Sequence, residues 1–213
     1  RMRATGFQQF VVGCEEYEAS TPFFAFRSLL RPLVGITPEL GAAEAGAQLV
    51  AWAHAVVPEL APWLPLLAIP FDAEVPATPE TSELDPAFRQ ARLHEVLDEF
   101  LRRMLLLPTL LVFEDAHWMD DASAFFMRHL LSRDVPLPWL VCVTRRPDAP
   151  TLAGDGGLQL VLQPLDADEA ARLAVAAAGE EALGPDDAAA LAARSGGNPL
   201  FVRELVVSLA DES

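Results

Sequence analysis

The 213-residue chain contains no lysine: all 15 of its basic residues are arginine, set against 31 Asp and Glu, for a formal net charge of −16. Affinity for nucleic-acid phosphates or anionic lipid headgroups comes from clustered basic side chains, so this balance argues against both as partners. Cysteine is nearly as scarce. Only Cys14 and Cys142 occur, each inside an apolar run, so neither a disulfide framework nor a four-ligand zinc site can be built; both read as buried, unreactive thiols in a reducing, cytoplasmic compartment. No stretch reaches the ~18 uninterrupted apolar residues that span a bilayer, and Arg1 to Gly6 carry no apolar signal core, so nothing targets a membrane. The first residue is not Met and no helix start signal precedes it, as expected of a fragment of something longer.

What is present is core-forming material. Hydrophobic residues make up 52% of the chain, with 12 Phe and 4 Trp against a single Tyr, enough to bury a sizeable interior and unlike a disordered segment. Phe7 to Gly13 (FQQFVVG) reads as a short strand ending at glycine. Pro22 to Val34 follows as an apolar helix bent near Pro32, and Glu39 to Val57 as a second helix before breaks at Pro58, Pro62, Pro65 and Pro70. From Phe71 to Pro86, acids, Pro, Thr and Ser predict an exposed, protease-sensitive loop. Asp85 is then placed to cap a helix with Pro86 in its first turn and an apolar stripe of Phe88, Leu93, Val96, Leu97, Phe100, Leu101 and Met104.

Thr109 to Phe113 (TLLVF) and Leu137 to Val143 (LPWLVCV) are continuous apolar runs, the pattern of strands buried on both faces of a parallel sheet. Between them Asp121 to Leu131 reads as a helix with Phe125, Met127, Leu130 and Leu131 facing inward. Leu158 to Leu162 (LQLVL) reads as a further strand, set off by a flexible Ala153 to Gly157 segment. Three Ala/Leu-rich helices follow, over Asp166 to Ala178, Pro185 to Arg194 and Pro199 to Leu209. The expected architecture is α/β over residues 1–163, a parallel sheet flanked by helices, and a small helical subdomain over 164–213, with the boundary near Gln163 and Pro164.

The chemistry concentrates at TLLVFEDAHWMDD, where an apolar strand ends in two adjacent carboxylates, Glu114 and Asp115. Ligands of open parallel sheets bind at the carboxyl ends of strands. One carboxylate there can hold the Mg²⁺ of a nucleoside triphosphate while its neighbour orients the attacking water; the same pair can equally begin a loop or cap a helix. His117 and Trp118 follow closely enough to reach the same crevice, as a base or as structural, signal-coupling residues. His117 has no second His or Cys at ligand spacing, so it is not a metal site. His54, His94 and His129 lie on helix faces and are assigned nothing.

LLVFEDAHWMDDAS resembles the Walker B segment of the signal-transduction ATPases with numerous domains, a branch of the P-loop ATPases. The likeness is strongest to the AAA-like ATPase modules of bacterial class III adenylate or guanylate cyclases and of large transcriptional activators. Cys14 to Phe23 resembles the family's second strand and following loop. Val143 to Pro147 (VTRRP) resembles its fourth strand with a phosphate-sensing tip, and Ser195 to Phe201 (SGGNPLF) resembles the Gly-x-Pro element of its helical subdomain. The resemblance implies that the sheet is an incomplete P-loop NTPase-type sheet and that Glu114 and Asp115 serve as the Mg²⁺ and water-activating pair. It further implies Thr144 or Arg145 as phosphate sensor, Gly197, Asn198 and Pro199 as a nucleotide-contacting turn, and ATP or ADP with Mg²⁺ as cofactors.

By the same resemblance the chain would be an ATP-binding, ATP-hydrolysing regulatory switch of a multidomain bacterial signalling protein. Its partners would be nucleotide and the other domains of that protein, with homo-oligomers left open. The phosphate-binding loop G-x-x-x-x-G-K-[ST] requires the lysine this chain does not have. In the family that loop precedes the segment beginning here, so Arg1 to Gly6 is expected to continue the helix after it, and the chain alone is expected to bind nucleotide weakly or not at all. The competing reading is a degenerate, non-catalytic scaffold or protein-interaction domain.

Overall fold

In the computed structural model, β1 (Gln8–Gly13), β2 (Thr109–Glu114) and β3 (Trp139–Val143) form one sheet in that order, every pair parallel. The structure describes residues 6–132, 137–150, 152, 157–179 and 183–211. The expectations for Arg1 to Thr5 and for a flexible Ala153 to Gly156 lie outside them. The chain folds as two compact units, residues 1–157 and 158–213.

In the first unit the chain steps across the sheet in one direction only. Right-handed crossovers therefore place both connections on the same face, and burial alternates accordingly. Val12, Leu111 and Phe113 are buried, with Phe10, Val141 and Val143 packed beside them. On the other face Val11 is 52% and Leu140 68% exposed, and Cys142 is exposed too. This corrects the expectation of strands buried on both faces and of two buried thiols: the apolar runs are real, but the described residues cover one face of the sheet. Cys14 is buried as expected.

The covering helices are α1 (Phe24–Leu33), α2 (Ala42–Val56), α3 (Leu64–Phe71), the short α4 (Pro79–Ser82), α5 (Arg89–Met104) and α6 (Asp121–Leu131). Phe26 of α1 forms the junction, its ring 5.4 Å from Phe113 on β2 and 4.9 Å from Phe126 on α6. The prolines after α2 do not simply break structure: Pro58 opens a 3-10 turn and Pro65 lies in the first turn of α3, where a missing N–H costs nothing.

The Phe71 to Pro86 segment is largely exposed, as expected, but it is fastened at several points and carries the short α4. Phe71 and Thr81 are buried, and Arg31, itself buried, donates to the carbonyls of Phe71 (2.8 Å) and Asp72 (3.0 Å). Thr78 donates its hydroxyl to the Pro62 carbonyl at 2.6 Å and closes a capping box with Thr81. Polar composition is here spent on hydrogen bonds to backbone rather than on solvent. Asp85 caps the turn before α5 as expected, its Oδ1 accepting from Ala87 N–H at 2.8 Å. On α6, Met127 is buried and Leu130 packs against the core as expected, but Phe126 is buried where Phe125 was expected, Phe125 being 53% exposed, and Leu131 is exposed. The helix spans Asp121–Leu131 as expected, with Asp120 as its N-cap.

In the second unit, α7 (Ala167–Ala178), α8 (Pro185–Ser195) and α9 (Pro199–Asp211) close around a small core of Ala170, Ala174, Leu191, Val202 and Val206. Asp166 and Glu169 form a capping box on α7. Leu158 to Leu162 is not a strand; it has no pairing partner among the described residues and its leucines are exposed. An apolar run of this kind needs a neighbouring strand to satisfy its backbone.

Candidate functional site

The middle strand β2 ends at the acids. Glu114 is exposed, and Asp115 follows with φ 51° and ψ 38°, a left-handed conformation that Asp tolerates better than most residues. This residue turns the chain sharply into a 3-10 turn, Ala116–Trp118. The turn is held from β3: Asp115 N–H donates to Thr144 Oγ1 at 3.1 Å and Ala116 N–H to the Thr144 carbonyl at 2.9 Å. Thr144 N–H in turn donates to Phe113 O at 2.9 Å. The structure thus brings Glu114, Asp115 and Thr144 together at one mouth of the sheet. The Thr144 hydroxyl, accepting from Asp115, still has its own proton to donate.

Arg145 starts beside them, but its Nη1 donates to the carbonyls of Arg146, Pro147 and Ala149 in its own turn. His117 is nearly buried, its side chain 9% exposed, and its Nδ1 lies 4.0 Å from Asp115 Oδ1. Neither imidazole nitrogen has a hydrogen-bond partner among the described residues, and the ring lies 5.0 Å from that of Trp118.

One residue that sequence reasoning missed underpins the mouth. Asp120 is buried, and its carboxylate accepts from Phe23 N–H (2.7 Å), Ala25 N–H (3.5 Å) and Ser123 N–H (2.9 Å). It caps α6 and also seats the start of α1, where Phe23 has φ 59°. The signal was the Asp-Asp-Ala-Ser run, which puts Asp120 in the N-cap place just before the helix that starts at Asp121. The negative charge gathered here is felt by Cys14, whose thiol is pushed up to about 11, first by burial and then by Asp120 and Asp115.

Gly197, Asn198 and Pro199 lie in the second unit. Gly196 and Gly197 have φ of 58° and 78°, which side-chain-bearing residues rarely adopt. A Cβ on Gly197 would collide with the Leu165 carbonyl, and the Gly197 carbonyl accepts from Leu165 N–H at 2.9 Å. Asn198 Oδ1 accepts from Leu200 N–H at 2.9 Å and Pro199 opens α9. These residues build a helix-to-helix turn.

The donor set suits a hard divalent cation. Two adjacent exposed carboxylates match the one or two that bind Mg²⁺ alongside water and phosphate oxygens. Among the described residues no cluster of three or more His, Cys, Asp or Glu could hold a metal by itself. A parallel sheet with helices over it, ending its middle strand in such a pair, is the framework of a nucleotide-binding α/β domain. A family model described as AAA ATPase domain matches residues 3–143, more than half of the chain, and the chain belongs to that family. It is a P-loop ATPase-like, nucleotide-binding module, and proteins of this family generally use ATP or ADP with Mg²⁺.

The chain is 33% identical over 130 residues, 58% of its length, to an uncharacterized protein of Rhizobium meliloti (strain 1021), and spans 12% of that protein. No solved structure matches. No helix among the described residues is long and apolar enough to cross a membrane.

Proposed function

We propose that this chain is part of an ATP-binding, ATP-hydrolysing regulatory switch within a larger bacterial signalling protein of the cyclase or transcriptional-regulator type. The observation that carries the reading is the Glu114–Asp115 pair at the end of the middle strand, in a left-handed turn held by Thr144. Glu114 and Asp115 would hold Mg²⁺, directly or through water, and one of them would orient the attacking water. The Thr144 hydroxyl would donate to phosphate, Arg145 would border the same site, and Gly197 to Pro199 would supply the contact from the helical subdomain. When bound, Mg²⁺ would neutralise charge developing on the phosphate oxygens. Nucleotide state would thereby shift a conformational equilibrium and control another domain of the protein.

The open sheet face bears on the missing lysine. The chain crosses the sheet in one direction, so a strand pairing beyond β3 whose connection returned to β1 would cross in the other. By the same handedness it would lay its helix on the exposed face of Val11, Leu140 and Cys142. By the family resemblance that strand and helix flank the phosphate-binding loop. The same apolar face also favours a second reading, a non-catalytic scaffold that uses it to bind partners.

Calorimetry with Mg-ATP and Mg-ADP separates the two readings, on this chain and on the protein with its natural upstream sequence. Binding by the longer form, lost on Asp115→Asn, supports the switch. Failure of the longer form to bind removes it and leaves the scaffold.

A further inference from the structure

His94 on α5 and His129 on α6 meet between the two helices, their ring centres 5.4 Å apart and their planes inclined by 47°. His94 is only 8% exposed and His129 is half-buried. The Nε2 of each is shielded from solvent, and neither has a hydrogen-bond partner among the described residues. A buried ring nitrogen without a partner is costly, because it has given up water and gained nothing in return. Phe126 packs against both rings, 5.5 Å from His94 and 6.1 Å from His129, so one aromatic side chain holds the two imidazoles in place. The cations nearest in sequence are engaged elsewhere: the Arg92 guanidinium lies 3.9 Å over Trp63, and that of Arg128 5.2 Å over Phe125.

We propose that His94 and His129 form a two-imidazole site for a transition-metal cation of the Zn²⁺ class, which clamps α5 to α6. The proposal stands apart from the nucleotide reading and does not rest on it. Two imidazoles on one tetrahedral Zn²⁺, with Zn–N of about 2.0–2.1 Å, have ring centres roughly 5.2 Å apart. The observed 5.4 Å therefore asks for no movement of either helix, and rotation about the soft terminal torsion of each histidine suffices to aim its nitrogen. His129 stands at the half-buried rim, where water can complete the metal's shell. Donor chemistry separates this place from the acids: imidazole suits Zn²⁺, Cu²⁺ and Ni²⁺, whereas carboxylate and water suit Mg²⁺. A net charge of −16 favours uptake of a cation at either. Because α5 leads into β2 and α6 leaves the acidic turn, the clamp would brace the helices on either side of the strand that carries Glu114 and Asp115.

The test is a calorimetric titration of the chelator-treated chain with Zn²⁺ alone, at neutral pH and without nucleotide. One equivalent is expected to bind, to raise the thermal midpoint and to resist displacement by excess Mg²⁺. His129→Gln, at the rim, is expected to weaken binding at least tenfold while the fold persists, and His117→Gln to leave it within twofold. The chain has four histidines, so proton magnetic resonance of the imidazoles gives a second readout that does not depend on any variant's stability beyond assignment. Zn²⁺ should move the signals of His94 and His129 and leave those of His54 and His117. The proposal is overturned by an unaltered chain that does not bind Zn²⁺, by undiminished binding in His129→Gln, by displacement with Mg²⁺, or by shifts confined to His54 and His117. None of these outcomes bears on Mg-ATP binding, which is measured separately.

Discussion

The backbone N–H of Asp115 donates to the hydroxyl oxygen of Thr144 across 3.1 Å, so a side chain joins the backbone bonds of Thr144 in tying the tip of β2 to the tip of β3. The bond fixes the one left-handed residue of the acidic turn.

Replacing Thr144 with Val keeps the shape and removes the acceptor. The Asp115 amide lies at an exposed turn and can turn to water, so the stability cost is expected to be small, about 1 kcal/mol or less. Aim matters more than stability here. Mg-ATP affinity in the protein with its natural flanking sequence is expected to fall severalfold in Thr144→Val and to be restored in Thr144→Ser. Calorimetry paired with thermal melting checks both; equal affinities would mean that the bond does not position the acids.

Asp120 has the opposite profile. Its buried carboxylate is shared by three backbone amides from two helices, so Asp120→Ala strands buried donors and removes an N-cap. The expected loss is about 3 kcal/mol, measured as a shift in urea midpoint with little change in slope. Asp120→Asn keeps one acceptor oxygen and is expected to cost less.

How far the sequence led follows from what each pattern can encode. Thr109 to Phe113 names a strand and Glu114 and Asp115 mark its polar end, so the position of the acids was legible. Asp115's left-handed backbone was not, because it arises from the contact with Thr144, 29 positions away. The α6 span, Asp121 to Leu131, was legible too; its inner face was read with Phe125 where the structure buries Phe126, a neighbour turned about 100° around the helix. The apolar runs of β2 and β3 read the same whether both faces are covered by this chain or one is left for another segment. For the same reason Leu158 to Leu162 looked like a strand although no described strand pairs with it.

Gly46 sets helix propensity against sterics. In the middle of α2, Ala would gain about 1 kcal/mol of propensity. A Cβ there, however, would fall well inside contact distance of the Glu74 carbonyl, in the fastened segment whose Glu74 N–H donates to Ala42 O at 2.9 Å. Overpacking against backbone costs about 1–3 kcal/mol, so Gly46→Ala is expected to destabilise. It should also free the 72–78 segment for limited proteolysis; a rise in thermal midpoint would refute the contact.

His94 makes stability depend on pH. Burial, and next the neighbouring His129 ring 5.4 Å away, lower its pKa from the ordinary 6.5. Between the folded and unfolded values the unfolded chain binds more protons, so this contribution is constant above about pH 7. Below about 6.5 stability declines, at most by about 1.4 kcal/mol per pH unit for one proton. Urea unfolding between pH 5 and 7.5 should show this decline, and His94→Leu should reduce its slope.

The two thiols report on the open face. Cys14 is buried with its pKa pushed up to about 11, whereas Cys142 is exposed on the uncovered side of β3. Because the thiolate is the reactive form, an aromatic disulfide reagent at pH 8 is expected to titrate Cys142 rapidly in this chain and Cys14 only on unfolding. The informative comparison is with the protein carrying its natural upstream sequence. If a strand and helix from that sequence cover the face of Val11, Leu140 and Cys142, labelling of Cys142 slows by tenfold or more and Cys142→Ser removes the fast phase from the shorter chain alone. Equal rates in both forms would mean that the face stays open, and would favour the scaffold that presents it to a partner over the switch that buries it.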